Sequence, residues 1–290
     1  LSSAASDVYK RQSKYTYAMT YAIYGLAEHY LATGNDESLK TAISLYHVLE
    51  EKGREPQYDG YVESFTENWE KLERYDNNAP KTMNAHLHVL EAYTLLYQCW
   101  KDNGLKKRLE FCVDLFMNRI YDPSRKHFNL FFDNEWNSLV EMDSYGHDVE
   151  TGWLLCEAAR TLENQDLIEQ TNQLALDVTE ACLAEGMSDK GYMIYEKKGD
   201  RKTKHASWWG QIETVIACVN AWQISGSDVY LQSVDTVWTF VKDHMVDKEY
   251  GEWYSDCFDG EPKKEAPKVS MWRCPYHTVR LGVEMYNRLK

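Results

Sequence analysis

MNAHLHVLEAYTLLYQCWKDNGLKKRLEFCVDLFMNRI, residues 83–120, contains two helix patterns of different kinds joined by a short turn. In its first half, apolar residues recur at helical spacing on two stripes, one that includes Leu87 and another that includes Val89, which predicts a helix covered on two sides. The second half has a single apolar stripe, and its Lys and Arg residues lie outside that stripe, which predicts an outer helix with one solvent-exposed face. The polar turn DNG between them ends one helix and caps the next. The stretch therefore predicts a helical hairpin.

The same pair of patterns recurs along the chain, so the sequence predicts a helical-hairpin repeat of long period. Buried helices are predicted to begin near residues 15, 83, 146, 206 and 277, and outer helices to span 105–120, 166–185 and 228–245. The long connections back to the buried helices place the active face where those helices start. Inner helices wrapped by outer ones predict an all-α fold, an α/α toroid with a funnel-shaped pocket at its centre.

The acidic composition excludes several classes of partner. With 32 Lys+Arg against 46 Asp+Glu, the 290 residues carry a formal charge of −14, which predicts neither a nucleic-acid partner nor binding to an anionic membrane. The mean hydropathy is −0.61, and no window reaches the roughly 18–20 apolar residues of a membrane span. Seven scattered cysteines without a CxxC pair are typical of reduced thiols, so we expect a cytoplasmic protein without a zinc cluster.

Candidate chemical residues recur at the same phase of the repeat. They lie in the first turns of four successive buried helices: Asn84 and His88, His147 and Glu150, Trp209 and Glu213, and His277. Residues three or four apart share a helix face, so each pair points the same way. A single His on an apolar helix is more often a core residue. Three histidines at the same position of the repeat instead favour a functional site. His86 is two residues from His88 and diverges by about 200°, so we expect no metal pair there.

The histidines with carboxylate neighbours favour proton transfer. Imidazole titrates near neutral pH, and a neighbouring Glu fixes its tautomer. Two imidazoles on opposite sides of a sugar would remove a proton from one face and return it to the other. The competing interpretation is a glycoside hydrolase with two acids among Asp76, Glu150 and Glu213, but two of these stand beside a His. The 31 Tyr and Trp residues against 8 Phe fit a sugar-binding surface or packing between helices.

Four strings closely resemble the cellobiose 2-epimerases of the N-acylglucosamine 2-epimerase superfamily: KTMNAHLHVLEAYTLLY (81–97), SYGHDVETGWLLCEAA (144–159), WWGQIETV (208–215) and WRCPYHTVR (272–280). The resemblance implies an (α/α)6 barrel that converts the reducing-end glucose of β-1,4-linked disaccharides to mannose without metal or redox cofactor. It implies an acid/base pair, His147 and His277, oriented by Glu150 and Glu213, with His88 assisting ring opening or stabilising the enediolate. The implied sugar contacts are Asn84, Asp76, Trp209 and Trp272, and we add Trp208 and Tyr17 as further expected contacts.

The chain departs from the family in its helix count, because the resemblance implies twelve helices and about nine are predicted here. Residues 1–13 are expected to be a non-native or disordered leader, with a partial barrel over 14–290. Helices near 15–33 and 277–289 would each expose an apolar side, so we expect this chain alone to self-associate and to be inactive, and the complete protein to be a monomer. An N-acylglucosamine 2-epimerase, a mannose-type aldose–ketose isomerase and a non-catalytic carbohydrate-binding protein remain alternatives to the disaccharide epimerase.

Overall fold

The computed structural model describes residues 13–72, 78–270 and 273–290 of the chain. The expected leader lies outside these residues except for residue 13, and so do two expected sugar contacts, Asp76 and Trp272. Contacts between residues divide the chain into two compact units. The first comprises residues 1–121, 128–141 and 157–163, and the second comprises 122–127, 142–156 and 164–290.

The described residues contain nine α-helices, the number that the sequence predicts. They are α1 (Thr16–Thr33), α2 (Asp36–Val48), α3 (Met83–Cys99), α4 (Asn103–Leu115), α5 (Tyr145–Thr161), α6 (Gln165–Gly186), α7 (Trp208–Ser225), α8 (Val229–Phe240) and α9 (Tyr276–Arg288). The helices α1, α3, α5, α7 and α9 start within two residues of the starts predicted for the buried helices. The repeat of hairpins is therefore present over the described part of the chain.

In the first unit, α1 packs against α2 and α3, and α3 also packs against α4. Side chains of α3 are buried from Met83 to Leu96 with the exception of Asn84, as its two apolar stripes predict. The outer helix α4 buries one stripe that includes Leu105 and Leu109, while its Lys residues face away. The predicted difference between inner and outer helices holds in this unit.

In the second unit, α7 packs against α6, α8 and α9. Every residue of α7 from Gly210 to Ala221 is buried, whereas α8 buries only Tyr230, Val237 and Phe240. The first part of α5 belongs to this unit and its last turn to the first unit. The candidate residues of this unit lie in the first turns of α5, α7 and α9.

The described residues contain twelve short strands, one before α1 and the others in the connections between hairpins. They are β1 (Lys14–Tyr15), β2 (Ser64–Phe65), β3 (Lys81–Thr82), β4 (Tyr121–Asp122), β5 (His127–Phe128), β6 (Phe131–Phe132), β7 (Met142–Asp143), β8 (Lys197–Lys198), β9 (Arg201–Lys202), β10 (His205–Ser207), β11 (Asp256–Phe258) and β12 (Glu261–Pro262). Antiparallel pairing joins β1 with β2 and β3 with β6, and it forms two three-stranded sheets with β8 and β11 as their central strands, β7-β8-β9 and β10-β11-β12. A further two-stranded sheet joins β4 with β5. The strands β1, β3 and β10 end at the residue directly before the inner helices α1, α3 and α7, so their pairing fixes where those helices begin.

Polar residues in three of the short turns that join paired helices cap the following helix with a side chain. Asn35, Asp102 and Asn164 each accept hydrogen bonds from backbone N–H groups of the next helix. In the turn before α8, Asp228 has helical backbone angles and makes no side-chain cap hydrogen bond. Gly226 still ends the preceding helix with a positive φ of 71°, a conformation that glycine adopts without steric cost.

Each outer helix α2, α4 and α8 continues into a five-residue π-helical turn. These turns span Leu49–Gly53, Phe116–Ile120 and Val241–Met245. An extended residue follows each turn and starts the connection to the next inner helix. The sequence patterns did not predict these wider turns, which contain i→i+5 hydrogen bonds.

The helices α1 and α9 each have an exposed apolar side, as the sequence predicts. Leu31 on α1 is 50% exposed, and Val279 and Tyr286 on α9 are 59% and 67% exposed. The expected self-association and inactivity of this chain remain predictions. Among the described residues, no helix combines the length and the apolar composition required to cross a bilayer.

Candidate active site

In the first unit, His88 on α3 is buried and held at both ring nitrogens. Its Nδ1 lies 3.1 Å from Oε2 of Glu91, and its Nε2 lies 2.9 Å from the hydroxyl of Tyr21 on α1. The Tyr21 ring also stands edge-on to Tyr17, the expected sugar contact, which is half-buried. Asn84 is half-buried one turn before His88. These contacts fix the orientation of His88, and Tyr21 is a partner that the sequence analysis missed.

His86 points away from His88, as predicted. Its Nδ1 lies 2.6 Å from the carbonyl oxygen of Thr82, and its Nε2 accepts the backbone N–H of Tyr61 at 2.9 Å. Because Nε2 accepts, the proton lies on Nδ1 and is donated to the carbonyl. Burial lowers the pKa of His86 to about 4, against the opposing effect of the Thr82 hydrogen bond. His86 is therefore a neutral structural residue.

In the second unit, His277 at the start of α9 pairs with Glu213 on α7. Nδ1 of His277 lies 2.7 Å from Oε1 of Glu213, and Oε2 of that carboxylate accepts the indole N–H of Trp153 at 3.0 Å. Glu213 is fully buried. Burial raises the pKa of Glu213, but the positive charge of Arg280 and the hydrogen bond from His277 outweigh it and lower that pKa below its ordinary value. An ionised Glu213 holds the proton of His277 on Nδ1, which leaves Nε2 as the ring nitrogen that can take up a further proton.

Arg280 joins the two carboxylates that the sequence analysis placed beside the histidines. Its Nη2 donates to Oε1 of Glu213 at 2.6 Å and closely contacts Oε1 of Glu150. The same nitrogen lies 3.4 Å from Nδ1 of His277, one helical turn earlier on α9. The guanidinium also lies 5.1 Å from the centroid of the Trp153 ring. Arg280 is thus a buried cation at the centre of this group.

His147 at the start of α5 is oriented by a hydroxyl group. Its Nδ1 lies 2.8 Å from Oγ of Ser144, the residue that precedes the helix, and its ring lies 4.6 Å from the ring of Trp209. Trp209 also stacks on His277, with ring centroids 5.7 Å apart and planes 28° apart. Both histidines therefore contact one indole. The orientation of His147 by Glu150 remains a prediction, since the contact described for Glu150 is the one with Arg280.

Two glycines bring the starts of α5 and α7 close enough for this contact. A Cβ atom at Gly146 would lie 2.7 Å from the Trp209 ring and 3.1 Å from Cα of Gly210. Any larger side chain at Gly146 would push Trp209 away from its neighbour His147. Glycine is thus required here for a close approach of two helices rather than for a special backbone angle.

Trp208, another expected sugar contact, is half-buried beside the same histidine. Its ring stands edge-on to His277 with centroids 6.3 Å apart. The guanidinium of Arg273 lies 5.1 Å from its ring centroid. Trp208 and Trp209 therefore contact His277 on two sides.

Two groups of side chains in the second unit have donor atoms close enough together for a metal ion. In the first group, Glu150, Glu213 and His277 lie around the Arg280 guanidinium, which already supplies a positive charge to both carboxylates. This arrangement does not fit a metal ion.

The second group comprises His127, Asp148 and Cys182, all buried. Nδ1 of His127 lies 2.8 Å from Oδ2 of Asp148, which is a hydrogen bond and is shorter than the roughly 3.3 Å between two tetrahedral zinc ligands. The hydrogen bond with Asp148 raises the pKa of His127 against the lowering effect of burial. We therefore interpret this group as a structural ion pair.

The residues that sequence reasoning missed carry weak signals. Arg280 is the last residue of the string 272–280 and lies three residues after His277, so it shares the same helix face. Ser144 lies three residues before His147 at the start of its helix. Arg280 cannot be recognised without the neighbouring helices that supply Glu150 and Glu213, whereas the partner of Ser144 lies on the helix that Ser144 precedes.

Comparison with known proteins agrees with this arrangement of helices. The family model described as N-acylglucosamine 2-epimerase (GlcNAc 2-epimerase) matches residues 2–280. A cellobiose 2-epimerase of Bacteroides fragilis is 39% identical over 282 residues, which cover 94% of this chain and 71% of the relative. A cellobiose 2-epimerase of Dictyoglomus turgidum is 36% identical, with 95% and 72% covered.

A solved structure of cellobiose 2-epimerase from Bacillus thermoamylovorans B4167 superimposes with a TM-score of 0.91 at 35% identity, covering 95% of this chain and 72% of that one. These relatives have the (α/α)6 barrel fold, which confirms the predicted fold class. The chain is a member of the N-acylglucosamine 2-epimerase family and a carbohydrate epimerase.

Proposed function

We propose that this epimerase inverts C2 of the reducing-end glucose in β-1,4-linked disaccharides such as cellobiose and lactose. Relatives that share 30–39% of its residues bear the name cellobiose 2-epimerase, which supports this substrate class. The observation that carries the proposal is the contact of two imidazoles, His147 and His277, with the one indole of Trp209. Two bases that share a neighbouring ring suit proton transfer at both faces of one sugar carbon.

The proposed reaction is a 1,1-proton transfer on the open-chain aldose. A neutral imidazole, one of His147 and His277, takes the proton from C2, and the C–H electron pair forms a C1=C2 bond while the carbonyl electrons move to O1. The product of this step is a cis-enediolate. The other residue, as imidazolium, then donates a proton to the opposite face of C2, and the C1=O bond forms again. The configuration at C2 is inverted, and the two histidines have exchanged their protonation states.

Other residues have supporting roles in the proposal. His88 assists ring opening or stabilises the enediolate, and the sugar contacts are Asn84, Asp76, Trp208, Trp209, Trp272 and Tyr17. We also expect no metal or redox cofactor, a cytoplasmic location and a monomeric complete protein. The acidic charge of −14 supports the absence of nucleic-acid partners.

The proposal is tested by incubating the complete protein, with the helices that this chain is expected to lack, with cellobiose, lactose, mannose and N-acetylglucosamine in heavy water. We expect the disaccharides to give products with mannose at the reducing end and deuterium at C2, detected by NMR. Product without deuterium would exclude deprotonation at C2. Conversion of mannose to a ketose, or of N-acetylglucosamine to its epimer, in place of disaccharide turnover would identify one of the alternative activities.

Variants locate the reaction at the proposed residues. His147→Ala and His277→Ala should each lower turnover by about 10²–10⁴, the usual contribution of a general acid or base. The control is His47→Ala, because His47 is exposed on α2 in the first unit. Sugar binding without any turnover by the folded protein would favour the non-catalytic alternative.

A further inference from the structure

Arg280 is surrounded by acidic and aromatic groups rather than by solvent. Its side chain is only 4% exposed. Nη2 contacts the carboxylates of Glu150 and Glu213, and Nη1 contacts the hydroxyl of Tyr276. The aromatic faces of Trp153 and Tyr276 lie within 5.1 Å and 4.5 Å of the guanidinium carbon. Such a position is costly for a charge unless opposite charges accompany it, so its electrostatic partners define its role.

The two carboxylates depend on this guanidinium. Donor atoms of Glu150, Glu213 and His277 all lie within 4.8 Å of one another, and both glutamates are at most 1% exposed. Two buried carboxylates at such a distance repel each other, and without a cation one of them, or a nearby base, would take up a proton. The base in contact is His277, whose Nδ1 already faces Oε1 of Glu213.

We propose that Arg280 is a positioning residue that keeps Glu150 and Glu213 ionised together and leaves His277 able to exchange its proton near neutral pH. The inference deepens the proposed function, on which its catalytic meaning rests. With Arg280 present, the two carboxylates and the guanidinium carry one net negative charge next to the imidazole. Without Arg280 the imidazole faces two negative charges, which hold His277 permanently in the imidazolium form. A permanently protonated His277 could not accept a proton in either direction of the reaction.

The charged and titratable groups that surround His277 come from several elements. They are Glu213 on α7, Glu150 on α5, Arg280 and Tyr276 on α9, Arg273 in the connection before α9, and His147 across the Trp209 ring. Among the groups in this set, Arg280 is the cation whose nitrogen lies 3.4 Å from Nδ1 of His277. Arg273 faces the Trp208 ring and contacts the backbone oxygen of Trp253. Arg280 is therefore the group whose removal changes the charge next to the imidazole most directly.

The test is an NMR titration of histidine labelled with ¹³C at Cε1, with the His277 signal assigned by its loss in His277→Gln. We expect Arg280→Met to increase the proton affinity of His277 by about tenfold or more, since one pKa unit corresponds to a factor of ten. Arg280→Lys keeps the charge and should hold the titration near that of the unaltered protein. The matched control is Arg288→Met, the same change two turns further along α9, where Arg288 pairs with Glu284. This control should leave the His277 titration unchanged.

A second measurement needs no variant that could fail to fold. In the unaltered protein at pH 7, ¹³C carboxyl NMR should find both Glu150 and Glu213 ionised. A neutral carboxyl at either position, or an unchanged His277 titration in folded Arg280→Met, would overturn the inference. Both readouts are made without sugar. Their results therefore do not depend on whether the protein has the proposed activity. Failure of the proposed activity would appear only in the heavy-water experiment.

Discussion

Oγ of Ser144 lies 2.8 Å from Nδ1 of His147, so a neutral hydroxyl orients this histidine, whereas a buried carboxylate orients His277. The two proposed acid/base residues thus have partners of different charge. A carboxylate stabilises the imidazolium form and a hydroxyl does so much less. At Nδ1, the Glu213 carboxylate therefore stabilises the imidazolium of His277 more than the Ser144 hydroxyl stabilises that of His147.

Ser144→Ala removes the orienting hydroxyl without touching the imidazole. A neutral hydrogen bond contributes about 0.5–1.5 kcal/mol, so we expect turnover to fall by up to about tenfold, far less than in His147→Ala. Initial rates with cellobiose measure the effect, and Ser144→Thr, which keeps a hydroxyl, should recover part of it. If Ser144→Ala were as slow as His147→Ala, the hydroxyl would have a role beyond orientation.

Glu213→Gln tests the charge behind His277. The pKa of Glu213 is lower in the folded protein than its ordinary value near 4.5, because Arg280 and His277 outweigh the effect of burial. A lowered folded pKa contributes stability above pH 4.5, and this contribution is lost as the pH falls through the folded pKa. We expect Glu213→Gln to unfold at a lower temperature than the unaltered protein at pH 7, and the gap to narrow as the pH falls below 4.5.

Thermal unfolding at a series of pH values measures that gap, with Glu141→Gln as the control because Glu141 is exposed. A gap of constant size across this range would contradict the ionised state of Glu213. At pH 7 the same variant should also lower turnover by about 10²–10³, since the proton of His277 is no longer fixed on Nδ1 by a charge.

Gly146→Ala tests the close approach of α5 and α7. The added methyl group would lie 2.7 Å from the Trp209 ring, so the ring must move away from His147. Displacements of about 1 Å in a catalytic group can cost roughly 100-fold in rate, and we expect a loss of that order. Gly25→Ala is a matched control, because a Cβ there meets no atom within 4 Å. Full activity of Gly146→Ala would show that turnover does not depend on this position of the Trp209 ring.

Metal removal tests the interpretation of the carboxylate group around Arg280. Because the guanidinium contacts both Glu150 and Glu213, we expect EDTA to leave turnover unchanged. Elemental analysis of the purified protein gives the matching readout. Stoichiometric zinc that is lost together with activity would show instead that histidines and carboxylates bind a metal ion.

The sequence predicted most helix starts because the signals are local. Inner helices begin at Met83, Tyr145 and Trp208, close to their predicted starts, since the 3.6-residue period and the polar turns act within a few residues. The pairing of His277 with Glu213 was expected from the family resemblance and is present as a 2.7 Å hydrogen bond.

Arg280 could not be predicted, because its partners lie 67 and 130 residues away and only the packing of three helices brings them together. The turn before α8 has the same residue types as the capping turns, but the backbone of Asp228 is already helical there and its side chain makes no cap hydrogen bond. Local patterns thus located the elements, whereas the electrostatic centre of the site depends on contacts between elements.

The π-helical turns have a consequence for insertions and deletions. A turn with i→i+5 hydrogen bonds holds one residue more than an α-helical turn, so α2, α4 and α8 each accommodate the equivalent of a single inserted residue at their ends. Deleting an exposed residue such as Lys52 or Asp243 would restore the α-helical register and rotate the departing chain by about 100°. The hairpins closed by Arg54 with Tyr61 and by Val246 with Trp253 would then leave in another direction. Length changes of one residue should therefore be harmful at these turns and tolerated at the exposed tips of the same hairpins.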